Sequence, residues 1–336
     1  MTPAQLESAI TVSNGEHAIT LIDRQVRALV AWHGPVLANN DREPLHQMRV
    51  SMRRLRVSLS QFAPLLQLPE DLRLSRLAKT ARRLGLARDL DVLQARLEHQ
   101  WLPQLPAAEI VALRSVLKQL RRERLQAHGQ VVDQLKGAAY LRWLAQMQQW
   151  LRQPALTPLA EEPLAAWLVQ WQLGWLSPLC VHPGWHLQAL RKESHREQLH
   201  DLRKQIKTAR YQLDNCRPLL GEPSRTWQNT FKQMQDLLGE LNDLQVLQRA
   251  LDDQLPASLA KETPALARLL QHSERDCWQA WRALAAGPMA PATGQRLLES
   301  LQADQRRALR RQQWHALCSG IQRSVAFGLL HHRSAR

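Results

Sequence analysis

The sequence predicts an all-α protein: two antiparallel four-helix bundles related by internal duplication and pseudo-twofold symmetry. Three observations lead there. Glycine is scarce, Leu, Ala, Gln and Arg are plentiful, and runs of β-branched residues are rare, which is a helical composition. Apolar residues recur at the spacing of one helix face through most of the chain. A pattern in the first half returns 154 residues later, from His46 to His200 and onward. Leu59 then matches Leu213, Pro64-Leu65-Leu66 matches Pro218-Leu219-Leu220, Leu84-Gly85 matches Leu238-Gly239, and Asp89-Leu90 matches Asp243-Leu244. An ungapped offset this long marks a duplicated unit the size of a helical bundle, larger than a solenoid repeat.

In order, a first helix starts after Asn14 and runs to about His33, with Ile19, Ile22, Val26, Leu29 and Val30 as its apolar face. Asn39-Asn40-Asp41 makes a turn and a cap. Pro44 sits in the first turn of a second helix, where a proline is tolerated, and that helix ends near Pro64 to Pro69. A third helix spans Glu70 to Gln100, and a fourth runs from Ala107 to Leu151 after the breaks at Pro103 and Pro106. Gln153 to Pro163, with three prolines, links the halves. From Pro163 to Leu190 the chain has no Lys, Arg, Asp or Glu and four tryptophans. Gln170, Gln172, Gly174 and Pro178 interrupt it, so it reads as a buried helix rather than a membrane span, with a membrane-surface role as the minor alternative. Leu187 to Pro218 and Pro223 to Leu255 repeat the second and third helices. Lys261 to Ala286, a break at Gly287-Pro288 and Pro291, and Thr293 to Leu330 complete the fold. The expected boundaries are an N-terminal extension over 1–15, halves over 16–153 and 163–330, and a tail over 331–336.

The second helix carries the chemistry. His46, Arg49, Arg53 and Arg56 fall on one stripe at about 100° per residue, with Arg54 beside them. Met48, Met52, Leu55, Leu59 and Phe62 form another stripe, roughly a third of a turn away, which buries the helix. The repeat presents His200, Arg203, Lys207 and Arg210, with Lys204 adjacent. Cations held in line beside a packed face make a poor core and a good anion site, and arginine's planar fork matches phosphate oxygens two at a time. Arg76, Lys79 and Arg83 share a stripe on the third helix, and Arg306 and Arg310 lie in a basic stretch near the C-terminus. These five and Lys204 are candidate flanking contacts. Gly85 and Gly239 sit inside helical patterns, which points to a close approach or a bend. Asp89 and Asp243, four residues on, read as ion-pair partners that orient the arginines.

Charge narrows the function. The chain has 45 basic and 30 acidic residues, a net charge of +15 and a pI near 10.7. That favours polyanions: nucleic acid, anionic membrane or phosphate polymers. A merely basic, solvated surface is the bland alternative. The four cysteines are scattered without a CxxC pair, as in a reducing compartment. Met1 to Ile10 shows no export signal. Both indicate a cytoplasmic protein.

Metal binding competes on paper, because Glu43 and Glu197 precede the histidines by three residues. Against it, Pro44 places Glu43 at a helix cap, and the neighbouring arginines repel a divalent ion. No metal and no cofactor is expected. Catalysis lacks a phosphate loop, a G-x-S-x-G elbow and a dense acidic cluster, so the chain is not expected to be an enzyme. Nucleic acid remains open but fits less well. The basic stripes contain almost no aromatics, Tyr211 apart, on which bases could stack.

Two pairs of motifs resemble the CHAD family, named for a conserved histidine in an α-helical domain. In the first half these are Leu45-His46-x-x-Arg49-Val50-x-x-Arg53-Arg54-x-Arg56 and Leu84-Gly85-x-x-Arg88-Asp89-Leu90-Asp91-Val92. In the second they are Leu199-His200-x-x-Arg203-Lys204-x-x-Lys207-x-x-Arg210-Tyr211 and Leu238-Gly239-x-x-Asn242-Asp243. The resemblance covers the chain from about residue 16 to the C-terminal region. It implies two four-helix bundles in pseudo-twofold arrangement, with a basic central channel or surface that binds inorganic polyphosphate. It also implies possible partners: polyphosphate granules or a polyphosphate- or triphosphate-processing enzyme. The second half departs from the first at Asn242, Gln245 and Thr208, which stand where the first has Arg88, Asp91 and Arg54. The first half is therefore expected to bind more strongly. The leading expectation is non-enzymatic polyphosphate binding. The alternatives are a nucleic-acid-binding or scaffold protein, or an accessory subunit of a polyphosphate or triphosphate enzyme.

Overall fold

The structure is a computed structural model that describes residues 12–190, 192–286 and 294–314. The tail, most of the N-terminal extension, Cys318, the Pro288/Pro291 break and the end of the last expected helix lie outside the described residues.

The protein is all-α. Helix α1 (Asn14–Ala38) begins with a capping box: the Ser13 hydroxyl accepts from the Glu16 N–H, and the Glu16 carboxylate accepts from the Ser13 N–H. It runs past the expected end at His33 and through Pro35. It stops at Asn39, whose left-handed backbone (φ 52°) suits asparagine. Helix α2 (Glu43–Gln61) has Pro44 in its first turn, as its position in the sequence suggests.

Two expected helices are broken. The segment from Glu70 is not one helix: Arg73 is extended (ψ 147°) between the 3-10 turns Glu70–Leu72 and Leu74–Leu77, and α3 proper is Ala78–Arg96. A π turn, Leu97–Trp101, continues it. The long fourth helix divides into α4 (Ala107–Lys136) and α5 (Ala138–Arg152) at Gly137, whose ψ of 136° turns the chain. A side-chain carbon there would stand 3.2 Å from the Asp133 carbonyl oxygen, so glycine permits the corner.

The proline-rich link is tied down rather than free. Thr157 donates to the Leu65 carbonyl, Gln67 to Ala155 and Asn14 to Glu162. Beyond it, α6 (Leu168–Cys180) is the expected tryptophan-rich buried helix, with Trp171 and Trp175 buried. Helices α7 (Glu193–Asn215) and α8 (Glu222–Gln254) follow, then a helical turn (Leu259–Glu262), α9 (Pro264–Ala286) and α10 (294–314). No described helix is long and apolar enough to cross a membrane.

The repeat is visible in space. Helices α2 and α7 end 154 residues apart, at Gln61 and Asn215, and each is followed by a 3-10 turn (Ala63–Leu65 and Arg217–Leu219). The two end residues meet: the Asn215 amide donates to Gln61 Oε1 at 2.8 Å. Helix α2 packs on α3, α7 on α8, α2 on α7, and α3 on α8, so the four helices pack in a ring. The cores do not follow the halves. The larger buried cluster draws on both, from Ile22 and Met52 to Ile206, Phe231 and Trp281. The smaller joins Leu97, Trp101, Leu113 and Leu120 to Leu244, Leu251, Leu266 and Leu270. Both clusters therefore cross between the halves.

Candidate functional site

These four helices bring the two cationic stripes together. Met48, Met52, Leu55 and Leu59 are buried to within a few per cent, which fixes the rotation of α2. Leu199, Leu202, Ile206, Ala209 and Leu213 do the same for α7. With those faces in the core, Arg49 and Arg53 of α2 meet Arg203, Lys207 and Arg210 of α7. The electrostatics record the convergence. Burial, and after it the charges of Arg53, Arg203, Arg49 and Arg210, push the Lys207 ammonium down to about 7. Burial, with Arg49 and Arg203, also holds Arg53 below its ordinary value, while the Tyr211 phenol, hydrogen-bonded to it, acts in the opposite direction.

The arginines lie over the two repeat glycines. A side-chain carbon on Gly239 would stand 3.6 Å from the Arg203 guanidinium, and one on Gly85 would stand 4.0 Å from Arg49. Both arginines therefore pass over a bare stretch of the neighbouring helix. The close approach expected at these glycines is made by a side chain, not by a helix backbone. One turn further on, Asp89 accepts from Arg49 at 3.3 Å. Its carboxylate is reachable by water but lies among protein walls. That desolvation, opposed by Arg49 and reinforced by Asp243, raises its pKa. Asp243 pairs instead with Arg96 at 3.8 Å, which ties α3 to α8.

The histidines stand at matched places with unmatched partners. Desolvation, and then the charge of Arg88, lower the His46 pKa and favour a neutral ring, whose buried Nδ1 has no hydrogen-bond partner. His200 Nδ1 lies 2.7 Å from Asn242 Oδ1, at the position equivalent to Arg88. Arg88 is a residue the candidate set omitted. It lies three residues after Gly85, on the same helix face, and that spacing was its signal.

The remaining candidates are spread out. Arg210 is held by Gln235 at 3.0 Å, and its guanidinium carbon lies 4.8 Å from the Tyr211 ring centroid. Arg54 lies 5.7 Å from the same ring and pairs with Asp214 at 3.7 Å. Arg56 is exposed further along α2. Arg76 pairs with Asp71 in the 3-10 turns, Arg83 donates to Gln130 on α4, and Lys79 is exposed. Lys204 pairs with Asp201 and faces a different cavity, beside α6. Arg306 and Arg310 are exposed on α10. Of these, Arg210 alone is among the charges that act on Lys207 in the cluster. Asp91, whose replacement by Gln245 suggested unequal halves, is a buried anchor: Arg124 lies at 3.0 Å and Arg42 at 3.5 Å. That departure belongs to packing.

Among the described residues, no group of three or more His, Cys, Asp or Glu is placed to hold a metal ion. The arrangement offers fixed positive charge and directional donors, enough to grip several phosphate groups in a row.

Comparison with known proteins gives a consistent answer. A family model described as the CHAD domain matches residues 20–252. The crystal structure of the CHAD domain from the plant Ricinus communis superposes with a TM-score of 0.60 at 24% identity, covering 87% of this chain and 93% of that one. PptA from Streptomyces chartreusis superposes at 0.62 with 17% identity, covering 81% and 99%. No curated protein matches. With the repeated His/Arg stripes, the helical fold and the family match in agreement, the chain belongs to the CHAD-domain family.

Proposed function

We propose that this protein binds inorganic polyphosphate, without catalysis, between α2, α3, α7 and α8. The observation that supports this most is the meeting of two stripes from separate repeats. Arg49, Arg53, Arg203, Lys207 and Arg210 share one site, with Asp89 and Asp243 as the nearby carboxylates. Two carboxylates leave that site strongly positive, and such a site gains most from a polyanion that contributes many charges along one line. The CHAD family's association with polyphosphate- and triphosphate-related proteins points the same way. Binding in the cytoplasm, on polyphosphate granules or beside a polyphosphate or triphosphate enzyme fits this reading.

The test is a competition titration. Labelled long-chain polyphosphate is bound first, then challenged with duplex DNA, RNA or short oligophosphates at equal phosphate concentration, at low and moderate salt. Polyphosphate should stay bound. Equal displacement by DNA or RNA would make the +15 charge a general polyanion trap and end the specific reading.

A further inference from the structure

The repeat is broken at one seam, and a cavity opens there. In the first half Arg54 reaches Asp214 across the α2–α7 junction. The residues one repeat away are Thr208 for Arg54 and Ser60 for Asp214. These short side chains do not bridge the junction, and both line a cavity of about 610 Å³ between α6, α7 and the end of α2. That volume lies within the range of small-molecule sites, about 300–1,000 Å³.

Its chemistry is selective. One wall is Trp171 and Trp175 of α6. Their indole N–H groups are already taken by Asn14 and Gln172, so they offer the cavity only ring carbon. Around them stand the amides of Gln170 and Gln212, which can both donate and accept, while the Gln61 amide is engaged by Asn215 and the Gln212 carbonyl. Lys204 is the one charged residue in the lining; its ammonium lies 3.1 Å from the carboxylate of Asp201, which stands outside the cavity. Gly174 opens the floor: a side-chain carbon on it would meet nothing within 4 Å. A helical glycine costs about 1 kcal/mol against alanine, and here no neighbour requires it.

Aromatic carbon, neutral amides and a single cation together suit a flat heteroaromatic body carrying an anionic group. We propose that this cavity binds a small molecule of the nucleotide class, with its base against Trp171 and Trp175 and its phosphate toward Lys204. The site is separate from the cationic cluster. Lys204 and Arg203 are neighbours in sequence, about 100° apart around α7; Lys204 lines this cavity, while Arg203 acts on Lys207 in the cluster.

Equilibrium dialysis of the full chain with AMP, adenosine and ribose 5-phosphate tests this. AMP should bind, and each fragment should bind more weakly, because each lacks one half of the contacts. Thr208→Arg combined with Ser60→Asp, which restores the first half's bridge, should weaken AMP binding by about tenfold or more. Gly174→Leu, which fills the floor without a clash, should do the same and serves if the double variant does not fold. Arg49→Ala with Arg53→Ala should leave AMP binding within about twofold. Loss of AMP binding in that variant with retention in the cavity variants would put the nucleotide phosphate in the cationic cluster and overturn the proposal. Absence of AMP binding to the unaltered chain at millimolar concentration would also overturn it.

Discussion

Arg203 crosses Gly239 so closely that a side-chain carbon there would sit 3.6 Å from the guanidinium, and Arg49 crosses Gly85 in the equivalent way. A single side-chain carbon at either glycine would only touch the arginine, whereas a longer side chain would compete for its space. Gly85→Leu and Gly239→Leu should therefore displace Arg49 and Arg203, lowering polyphosphate affinity by about tenfold each. Because leucine is the better helix former, circular dichroism should show helicity unchanged or slightly raised. Full affinity in both variants would mean that the arginines reach phosphate by another path.

The convergence of the stripes predicts coupling between the halves. Arg49→Ala with Arg53→Ala should lower affinity by about a hundredfold, as should Arg203→Ala with Lys207→Ala, from the lost charge-assisted hydrogen bonds. Each pair should also flatten the dependence of log affinity on log salt by about one unit per lost contact. The quadruple variant should lose less than the sum of the two, since the residues share one site. Arg76→Ala and Arg83→Ala, whose side chains are engaged by Asp71 and Gln130, should each cost about twofold or less. Binding isotherms across a salt series measure all of these.

Lys207 makes binding depend on pH. Its free ammonium loses its proton near pH 7, well below the ordinary 10.5, because burial and four arginines oppose the charge. Bound phosphate oxygens favour the charged form and raise that value again. Binding above about pH 7 should therefore take up a proton, and affinity should be full below about pH 6 and fall as pH rises through 7 toward about 9. Calorimetry in buffers of different ionisation enthalpy counts the proton. Lys207→Arg, which keeps its charge, should flatten the profile; an unchanged profile would assign the effect to another group.

Asp91 is predicted to matter for stability and not for binding. It is buried between Arg124 and Arg42, and Arg124 is itself largely enclosed. Asp91→Ala should cost about 3–5 kcal/mol by stranding a buried guanidinium, read as a lower denaturant midpoint. Below the unfolding transition, polyphosphate affinity should stay within about twofold.

Much of this was already legible in the chain. Helix periodicity, the Pro44 helix start, the capping residues and the 154-residue repeat depend on spacing along the sequence, and local spacing survives folding. So did the identity of the main cationic side chains, since a stripe beside an apolar face must stand at the edge of a core. What the sequence could not contain is distance between segments far apart in it. Only the packing of α2 on α7 decided that Arg49 and Arg53 share a site with Arg203, Lys207 and Arg210, while Arg76, Arg83 and Lys204, equally basic on paper, point elsewhere. The same holds for Gly85 and Gly239, over which a side chain from another helix lies, and for Asp91, which the sequence marked only as a difference between the halves and which is a buried anchor. Charge and periodicity are properties of residues; a site is a property of which helix faces the core forces together.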